Sequence, residues 1–111
     1  VYRICEVLNP TNCDTATATV VVSSATISAQ DDNFGIISGS IGGVVGNVLT
    51  DNGNGTDTLG TVSATVANVA VSVVTPATPI SGGNGLVPTL DTATGNVTVP
   101  VNTPAGTYTI T

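Results

Sequence analysis

The stretch that decides the fold is "TPAGTYTIT", residues 103–111, taken together with "VYRICEVLNPTNCDTATATVVV", residues 1–22. Apolar and polar residues alternate through both segments, as a strand with one buried face requires. The first segment stops, and the second starts, in the middle of such an alternation. We therefore expect the two segments to be parts of one strand that is divided between the ends of this sequence.

The composition places the rest of the chain in the all-β class. Thr and Val dominate, and these β-branched residues fit a pleated sheet but lose side-chain freedom in a helix. Thirteen Gly and six Pro interrupt the chain at short intervals. The 111 residues leave room for one domain. No apolar run reaches the roughly 18 residues of a membrane helix, so membrane insertion is not expected.

The charge balance excludes one class of partner and favours one compartment. Arg3 is the single basic residue against seven acidic ones, and there is no His, Met or Trp. One cation cannot neutralise a phosphate backbone, so nucleic-acid binding is excluded. The chain has no Lys, and the two cysteines lie close together. Both features favour an oxidising, extracellular location.

Short alternating runs separated by turn clusters predict an immunoglobulin-like β-sandwich of about seven strands with Greek-key connections. In such folds a Tyr that follows a small residue at the start of strand F turns its hydroxyl back onto the preceding loop. Tyr108 in "PAGTYTI" fits that position. The runs are residues 4–7, 13–22, 25–29, 44–49, 60–66, 69–75, 85–90, 95–101 and 106–111.

The two end segments join into one strand when Val1 is laid over Thr111, whereas a flush join slips the alternation by one residue and needs a bulge. The residues that then share the apolar face are Tyr108, Ile110, Tyr2 and Ile4. We therefore expect one period of a tandem array. In this interpretation residues 1–22 complete strand F and form strand G of the preceding repeat, and residues 25–111 form strands A to F of the next.

Cys5 and Cys13 flank a turn that contains Pro, and the alternation directs both side chains away from the apolar face. A cross-strand disulfide at the tip of the F–G hairpin is therefore predicted, with two free thiols as the alternative. A metal site at this pair is not expected, because two Cys without a His leave a tetrahedral site half empty.

The same sequence resembles a known family. "TPAGTYTIT" running into "YRICEVLNPTNCDTATATVVV", with "DDNFG" and "VLTDNGNGTDT" further along, is similar to the repeats of very large Bacteroidota surface adhesins of the SprB-like gliding-motility type. The resemblance covers essentially the whole chain and implies an exported bacterial cell-surface fibre of immunoglobulin-like repeats. It also implies O-glycosylation at Asp-(Ser/Thr)-(aliphatic or Thr) motifs, which carries over to Thr15, Thr58 and Thr92.

Acidic and amide residues collect in two turns. Asp31 and Asp32 lie in "DDNFG", and Asp51 and Asp57 lie in "TDNGNGTDT". Oxygen ligands that converge from two loops would suit Ca²⁺, the one cofactor considered. The spacing does not match an EF-hand loop, and Asp, Asn and Gly are ordinary turn residues, so solvated turns are the alternative.

Asn54 and Asn96 head N-x-T sequons, which are modified only where an N-glycosylation system exists. An enzyme is not expected, because without His or Lys a nucleophile has no obvious general base. The adjacent carboxylates Asp31 and Asp32 remain a possible pair, but neighbours in a strand point to opposite faces.

The function expected is that of a structural repeat that gives an extracellular adhesin or filament reach and stiffness for adhesion or gliding. Its partners would be identical neighbours arranged head to tail, with surfaces or glycans as further ligands. One alternative is a separate subunit that polymerises by donating Val1 to Val22 to the next copy. A second is a calcium-dependent glycan-binding module, against which the scarcity of aromatic residues counts.

Overall fold

The chain folds into an elongated all-β structure, and the computed structural model describes all 111 residues. Eight short strands form three antiparallel sheets, and there is no helix. The molecule measures 85 × 25 × 19 Å and has a radius of gyration of 25.0 Å. A compact domain of this length would have a radius of gyration of roughly 13 Å. The predicted all-β class is therefore confirmed, in an unusually extended form.

The first sheet is a hairpin of β1 (Tyr2–Cys5) and β2 (Cys13–Ala16). Its register pairs Tyr2 with Ala16 and Cys5 with Cys13. Neither strand contacts any other strand of the chain. The hairpin therefore stands apart from the remaining six strands. Residues 27–111, which contain these strands, are called the body.

The body contains two three-stranded sheets. In the first, with the order β3-β5-β6, the strands are β3 (Ile27–Ser28), β5 (Thr58–Leu59) and β6 (Val62–Ser63). In the second, with the order β4-β8-β7, the strands are β4 (Gly43–Asn47), β7 (Thr89–Asp91) and β8 (Asn96–Val99).

The core of the body is thin. Only six of the 111 residues are buried, and none of these is a large side chain. Val97 and Val99 provide the buried face of β8. A bulge between Val44 and Gly46 shifts the register of β4 against β8. At Gly46 the ring of Phe34 comes so close that an added Cβ would lie 2.6 Å from it, which explains the glycine.

The hairpin between β7 and β8 follows from the turn residues at its tip. Asp91 accepts hydrogen bonds at its carboxylate from the Ala93 amide (2.9 Å) and the Thr94 hydroxyl (2.8 Å). Gly95 closes the turn with a φ of 79° and donates its N–H to the Asp91 carbonyl at 2.7 Å. These contacts, first that from the Thr94 hydroxyl and then that from the Ala93 amide, lower the pKa of Asp91.

Most observed strands are shorter than the predicted runs or shifted from them; β7, for example, shares only Thr89 and Leu90 with the predicted run 85–90. β2 ends at Ala16, because residues 17–25 find no partner strand within the chain. Residues 69–75 and 106–111 form no ladder, and only their ends meet, at Thr75 and Thr111. Conversely, β5 begins at Thr58, the last residue of the predicted turn "TDNGNGTDT", and continues to Leu59, which lay in no predicted strand.

Candidate functional site

The predicted disulfide is present at the loop end of the β1–β2 hairpin. Cys5 and Cys13 are directly opposite each other, their Cα atoms are 4.1 Å apart, and their sulfurs are bonded. Arg3 and Thr15 form the next pair on the same face. A disulfide of this kind persists in oxidising compartments, which agrees with the predicted extracellular location.

The loop beyond the disulfide is held by one carboxylate. Glu6 accepts side-chain hydrogen bonds from Asn12 (2.9 Å) and Asn9 (2.8 Å), and its backbone N–H donates to the Asn12 carbonyl at 2.9 Å. The two amide contacts, that from Asn12 first, lower the pKa of Glu6. The tip of the hairpin is therefore a structured element although every residue around it except Cys13 is exposed.

The other face of the hairpin carries Tyr2, Ile4 and Ala16, with Asp14 opposite Ile4, and it is mostly apolar and uncovered. Tyr2 is 53% and Ile4 is 65% exposed, and the valines that follow β2 are almost fully exposed. Residues 17–25 make no backbone hydrogen bond within the chain. The hairpin and the segment after it thus combine apolar side chains with free backbone groups, the two features that a strand offers to a partner.

A second uncovered edge lies in the body. Thr111 donates its N–H to the Thr75 carbonyl at 2.9 Å and accepts from the Thr75 N–H at 2.7 Å, while residues 70–73 and 107–110 make no backbone hydrogen bonds. Tyr108 and Ile110 are half-buried, and the residues between and beside them are exposed. Residues 71–75 and 107–111 are called the open edge below.

Tyr108 is fixed by its hydroxyl, which donates a 2.7 Å hydrogen bond to the carbonyl oxygen of Pro104. Such a contact from a Tyr back to the preceding loop is the one that a tyrosine corner makes. Whether it marks strand F of an immunoglobulin-like sandwich depends on the strand topology, so that part stays a prediction.

An apolar groove of about 440 Å³ lies between the β3–β5–β6 sheet and the segment that leads to the open edge. Most of the residues that line it are apolar, among them Ile27, Ala29, Leu49, Ala64, Val69 and Val71. The polar residues in its lining are Ser28, Asp57, Thr58, Asn68 and Ser72. Most of these side chains are only half-buried or exposed, so the groove is part of a core that this chain leaves open.

The two acidic turns do meet. Asp32 accepts a hydrogen bond from the Asn52 amide at 2.8 Å, and the Asn54 amide donates to the Asp31 carbonyl at 2.8 Å. Desolvation raises the pKa of Asp32, as do the charges of Asp57 and Asp31, while the Asn52 contact opposes the shift. The two turns are therefore joined by two side-chain amides, one bound to the Asp32 carboxylate and the other to the Asp31 backbone carbonyl.

Asp51 makes no hydrogen bond to the turn that contains Asp31 and Asp32. Its carboxylate accepts from the N–H groups of Gly53 (2.9 Å) and Gly55 (3.0 Å), which lowers its pKa. Asp57 accepts from the Gln30 N–H at 2.7 Å. The chain has no group of three or more His, Cys, Asp or Glu side chains arranged to hold a metal ion. Calcium binding at Asp31, Asp32, Asp51 and Asp57 stays a prediction, as does the calcium-dependent glycan site.

The predicted glycosylation residues differ in access. Thr15 on β2 and Thr92 in the β7–β8 turn are exposed, whereas Thr58 is half-buried in β5. Among the sequons, Asn54 is exposed and Asn96 is half-buried. Modification at any of these positions stays a prediction.

Sequence reasoning missed Asn47, whose side chain makes three hydrogen bonds. Its amide nitrogen donates to the Thr94 carbonyl (2.7 Å) and to the Asn96 side chain (2.9 Å), and its oxygen accepts from the Leu49 N–H (2.9 Å). A signal was available, because "GNV" occurs at 46–48 and again at 95–97, and the two asparagines are cross-strand partners.

Comparison of the chain with protein-family models, with curated proteins and with solved structures found no match. No helix of the chain is long and apolar enough to cross a membrane. The features of the chain that bear on its function are the hairpin, the open edge and the groove.

Proposed function

We propose that this chain is a structural unit of a long extracellular assembly on a bacterial cell, in which copies follow one another head to tail. The observation that carries the proposal is that the disulfide-bonded hairpin contacts no other strand and presents its apolar face to solvent. Exposed apolar area of this kind gains free energy when it is covered. A neighbouring copy is the partner that the proposal names.

The body supports the proposal from its own side. It has an open edge with free backbone groups and an apolar groove beside it. The hairpin therefore offers strands, and the body offers a place for them. Contacts between two such different surfaces are heterologous, and heterologous contacts that do not close into a ring produce a filament.

The unit completed by its neighbour is proposed to be an immunoglobulin-like sandwich, with Tyr108 at the start of its strand F. The resemblance to gliding-motility adhesins supports this interpretation, as does the Tyr108 contact with Pro104. Reach and stiffness would come from the repeated contact between units. The disulfide would keep each hairpin folded under load.

The experiment is to measure the mass of the polypeptide isolated from its source, denatured, with and without reductant, and to image the native protein. A mass many times the 10.8 kDa of this chain, with regularly spaced units along a fibre, is expected. A mass near 10.8 kDa, with native particles no larger than one chain, would contradict the proposal.

The same observation favours a second candidate, a separate subunit that polymerises by donating Val1 to Val22 as a donor strand. The two candidates differ only in covalent continuity between copies. A denatured mass near 10.8 kDa together with native filaments would select the subunit, and a denatured mass of many repeats would select the array.

A further inference from the structure

We propose that the hairpin of a second copy of this chain adds to the open edge in one defined register, with β1 of the second copy pairing with residues 71–73 and residues 17–20 pairing with residues 108–111. The inference rests on the proposed head-to-tail arrangement and specifies its contact. Three independent features of the chain lead to the same register.

The first feature is the register of the hairpin itself. β1 and β2 pair so that Tyr2 is opposite Ala16. Val1 is 92% exposed and lies outside β1, so Thr111 of the other copy can take its position. Continuing the same antiparallel ladder then places Thr111 opposite Thr17. Each step back along the open edge from Thr111 matches one step forward along the second copy from Thr17. The resulting pairs are Ile110 with Ala18, Thr109 with Thr19, and Tyr108 with Val20.

The second feature lies on the other side of Thr111. Its carbonyl oxygen accepts from the N–H groups of both Val74 and Thr75, a two-against-one arrangement that is typical of a β-bulge. Beyond a bulge, the residues of the bulged strand that lie opposite the partner strand are shifted by one position. The strand that continues past Thr111 therefore places Tyr2 of the second copy opposite Val73 and Ile4 opposite Val71.

The third feature is the chemistry of the two faces that this register creates. Side chains on one face are apolar apart from the tyrosine hydroxyls and one charged residue, Asp14, which lies opposite Ile4 near the hairpin loop. The apolar members are Val71, Val73, Tyr108 and Ile110 of one copy with Tyr2, Ile4, Ala16, Ala18 and Val20 of the other. The opposite face carries Ser72, Thr107 and Thr109 with Arg3, Thr15, Thr17, Thr19 and the disulfide. A slip of one residue in either ladder would mix the two sets.

The apolar face of this register would be covered by the body. Val71 lines the apolar groove, and Tyr108 and Ile110 are already half-buried. A strand pair laid along the open edge in this register directs its apolar side chains toward the same side as Val71. The second copy would therefore close the groove that a single chain leaves open.

The register makes a prediction that can be tested with cysteines. Cys5 and Cys13 are directly opposite each other on the polar face with Cα atoms 4.1 Å apart. Because ladder geometry repeats every second residue, the pairs Thr109–Thr19 and Thr111–Thr17 would have the same geometry across the contact. All four threonines are exposed in the single chain, so replacing them leaves its fold intact.

The experiment uses four variants that each carry one extra cysteine, at Thr17, Thr19, Thr109 or Thr111. Two variants are mixed, one of them isotope-labelled, and peptide mapping verifies that each keeps the native disulfide. Mixed dimers formed under mild oxidation are measured by mass spectrometry. The opposite pairs, position 19 with 109 and position 17 with 111, are expected to cross-link about tenfold faster than the diagonal pairs. The diagonal pairs are position 17 with 109 and position 19 with 111, whose Cβ atoms would be farther apart. Equal rates in the four mixtures, or faster diagonal pairs, overturn the register.

A second measurement uses the two faces. Val20→Asp places a charge on the apolar face, and Thr19→Asp places the same charge on the polar face, and both residues are exposed in the single chain. In sedimentation velocity the wild type and Thr19→Asp are expected to associate at concentrations about tenfold lower than Val20→Asp. No self-association of the wild type at millimolar concentration, or equal association of the two variants, overturns the proposal.

The outcomes separate this inference from the proposed function. A long source polypeptide with regularly spaced units, combined with diagonal cross-links, would keep the head-to-tail assembly and reject the register. A source polypeptide of one chain length that forms no fibre would reject the assembly itself, whatever the cross-links show.

Discussion

The hydroxyl of Tyr108 donates a 2.7 Å hydrogen bond to the carbonyl oxygen of Pro104, four residues earlier in the chain. This contact ties the open edge to the loop that precedes it and holds the ring of Tyr108 half-buried. The residue that begins the proposed contact surface is therefore anchored within its own chain before any neighbour arrives.

Tyr108→Phe is expected to lower the free energy of unfolding by about 1 kcal/mol, because it leaves the Pro104 carbonyl without its partner while the ring still packs. Tyr2→Phe is the matched control, since the Tyr2 side chain is 53% exposed and lies on the separate hairpin. Urea denaturation of the two variants and the wild type measures the difference. An equal effect of both substitutions would show that the hydroxyl contact does not stabilise the body.

Asn47→Ala is expected to destabilise the body by about 2 to 3 kcal/mol, since its side chain makes three hydrogen bonds that join β4, β8 and the turn before β8. The control is Asn54→Ala, which removes one hydrogen bond from an exposed side chain. Urea midpoints of both variants provide the measurement. A loss at Asn47 no larger than that at Asn54 contradicts the role assigned to the network.

The sequence predicted what depends on neighbouring residues. Alternation predicted the all-β class, and the same alternation placed Cys5 and Cys13 on one face, where the disulfide is found. The tip of the β7–β8 hairpin follows from Asp91, Thr94 and Gly95, all within five residues of one another. Local turn chemistry and period-two patterns need no knowledge of the rest of the fold.

What depends on distant residues was not predicted. A strand forms only where a partner lies beside it, so the alternation over residues 17–22 could not reveal that β2 ends at Ala16. The Asn47 network joins residues that are 47 and 49 positions apart. In the acidic turns the composition indicated the right loops, but only the structure shows that the Asn52 and Asn54 amides join them, through the Asp32 carboxylate and the Asp31 backbone carbonyl.

Asp32→Asn is expected to stabilise the protein at neutral pH. Desolvation and the charges of Asp57 and Asp31 raise the pKa of Asp32, so the folded state binds its proton more readily than the unfolded state does. The stabilisation from this proton is fully present below the ordinary pKa of Asp, about 3.9, and is lost as the pH rises through the raised value. The advantage of Asn at this position should therefore shrink as the pH falls from 7 toward that ordinary value.

Urea midpoints between pH 3 and pH 7 test this pH dependence. Asp14→Asn is the charge-matched control, because Asp14 lies on β2 in the separate hairpin. Asn can still accept the hydrogen bond from Asn52, so the contact itself is preserved. A difference between Asp32→Asn and the wild type that stays constant across this pH range would show that titration of Asp32 is not its cause.

Reduction of the Cys5–Cys13 disulfide is expected to loosen the hairpin and leave the body unchanged, because the hairpin strands contact no other strand. Hydrogen exchange by NMR should show the amides of β1 and β2 exchanging about tenfold to a hundredfold faster, while those of β8 keep their rates. The variant with Cys5→Ala and Cys13→Ala should behave in the same way without reductant. Faster exchange in β8 would mean that the hairpin packs on the body.

Glycosylation should follow access if the Asp-Thr motifs are used. Thr15 and Thr92 are exposed, so their hydroxyls can reach a transferase after folding, whereas Thr58 is half-buried in the central strand of the β3–β5–β6 sheet. Glycopeptide mass spectrometry of the protein from its source is expected to find glycan at Thr15 and Thr92 and little or none at Thr58.

In the proposed assembly the glycan at Thr15 would lie on the polar face, beside Arg3, and would not block the apolar contact. Unfolded peptides spanning each motif are the control, because they remove the difference in access. Equal occupancy at Thr58 and Thr92 in the native protein would show that modification precedes folding or ignores it. No occupancy at Thr15 and Thr92 in the source protein, with both peptides modified, would show that exposure of the hydroxyl is not sufficient.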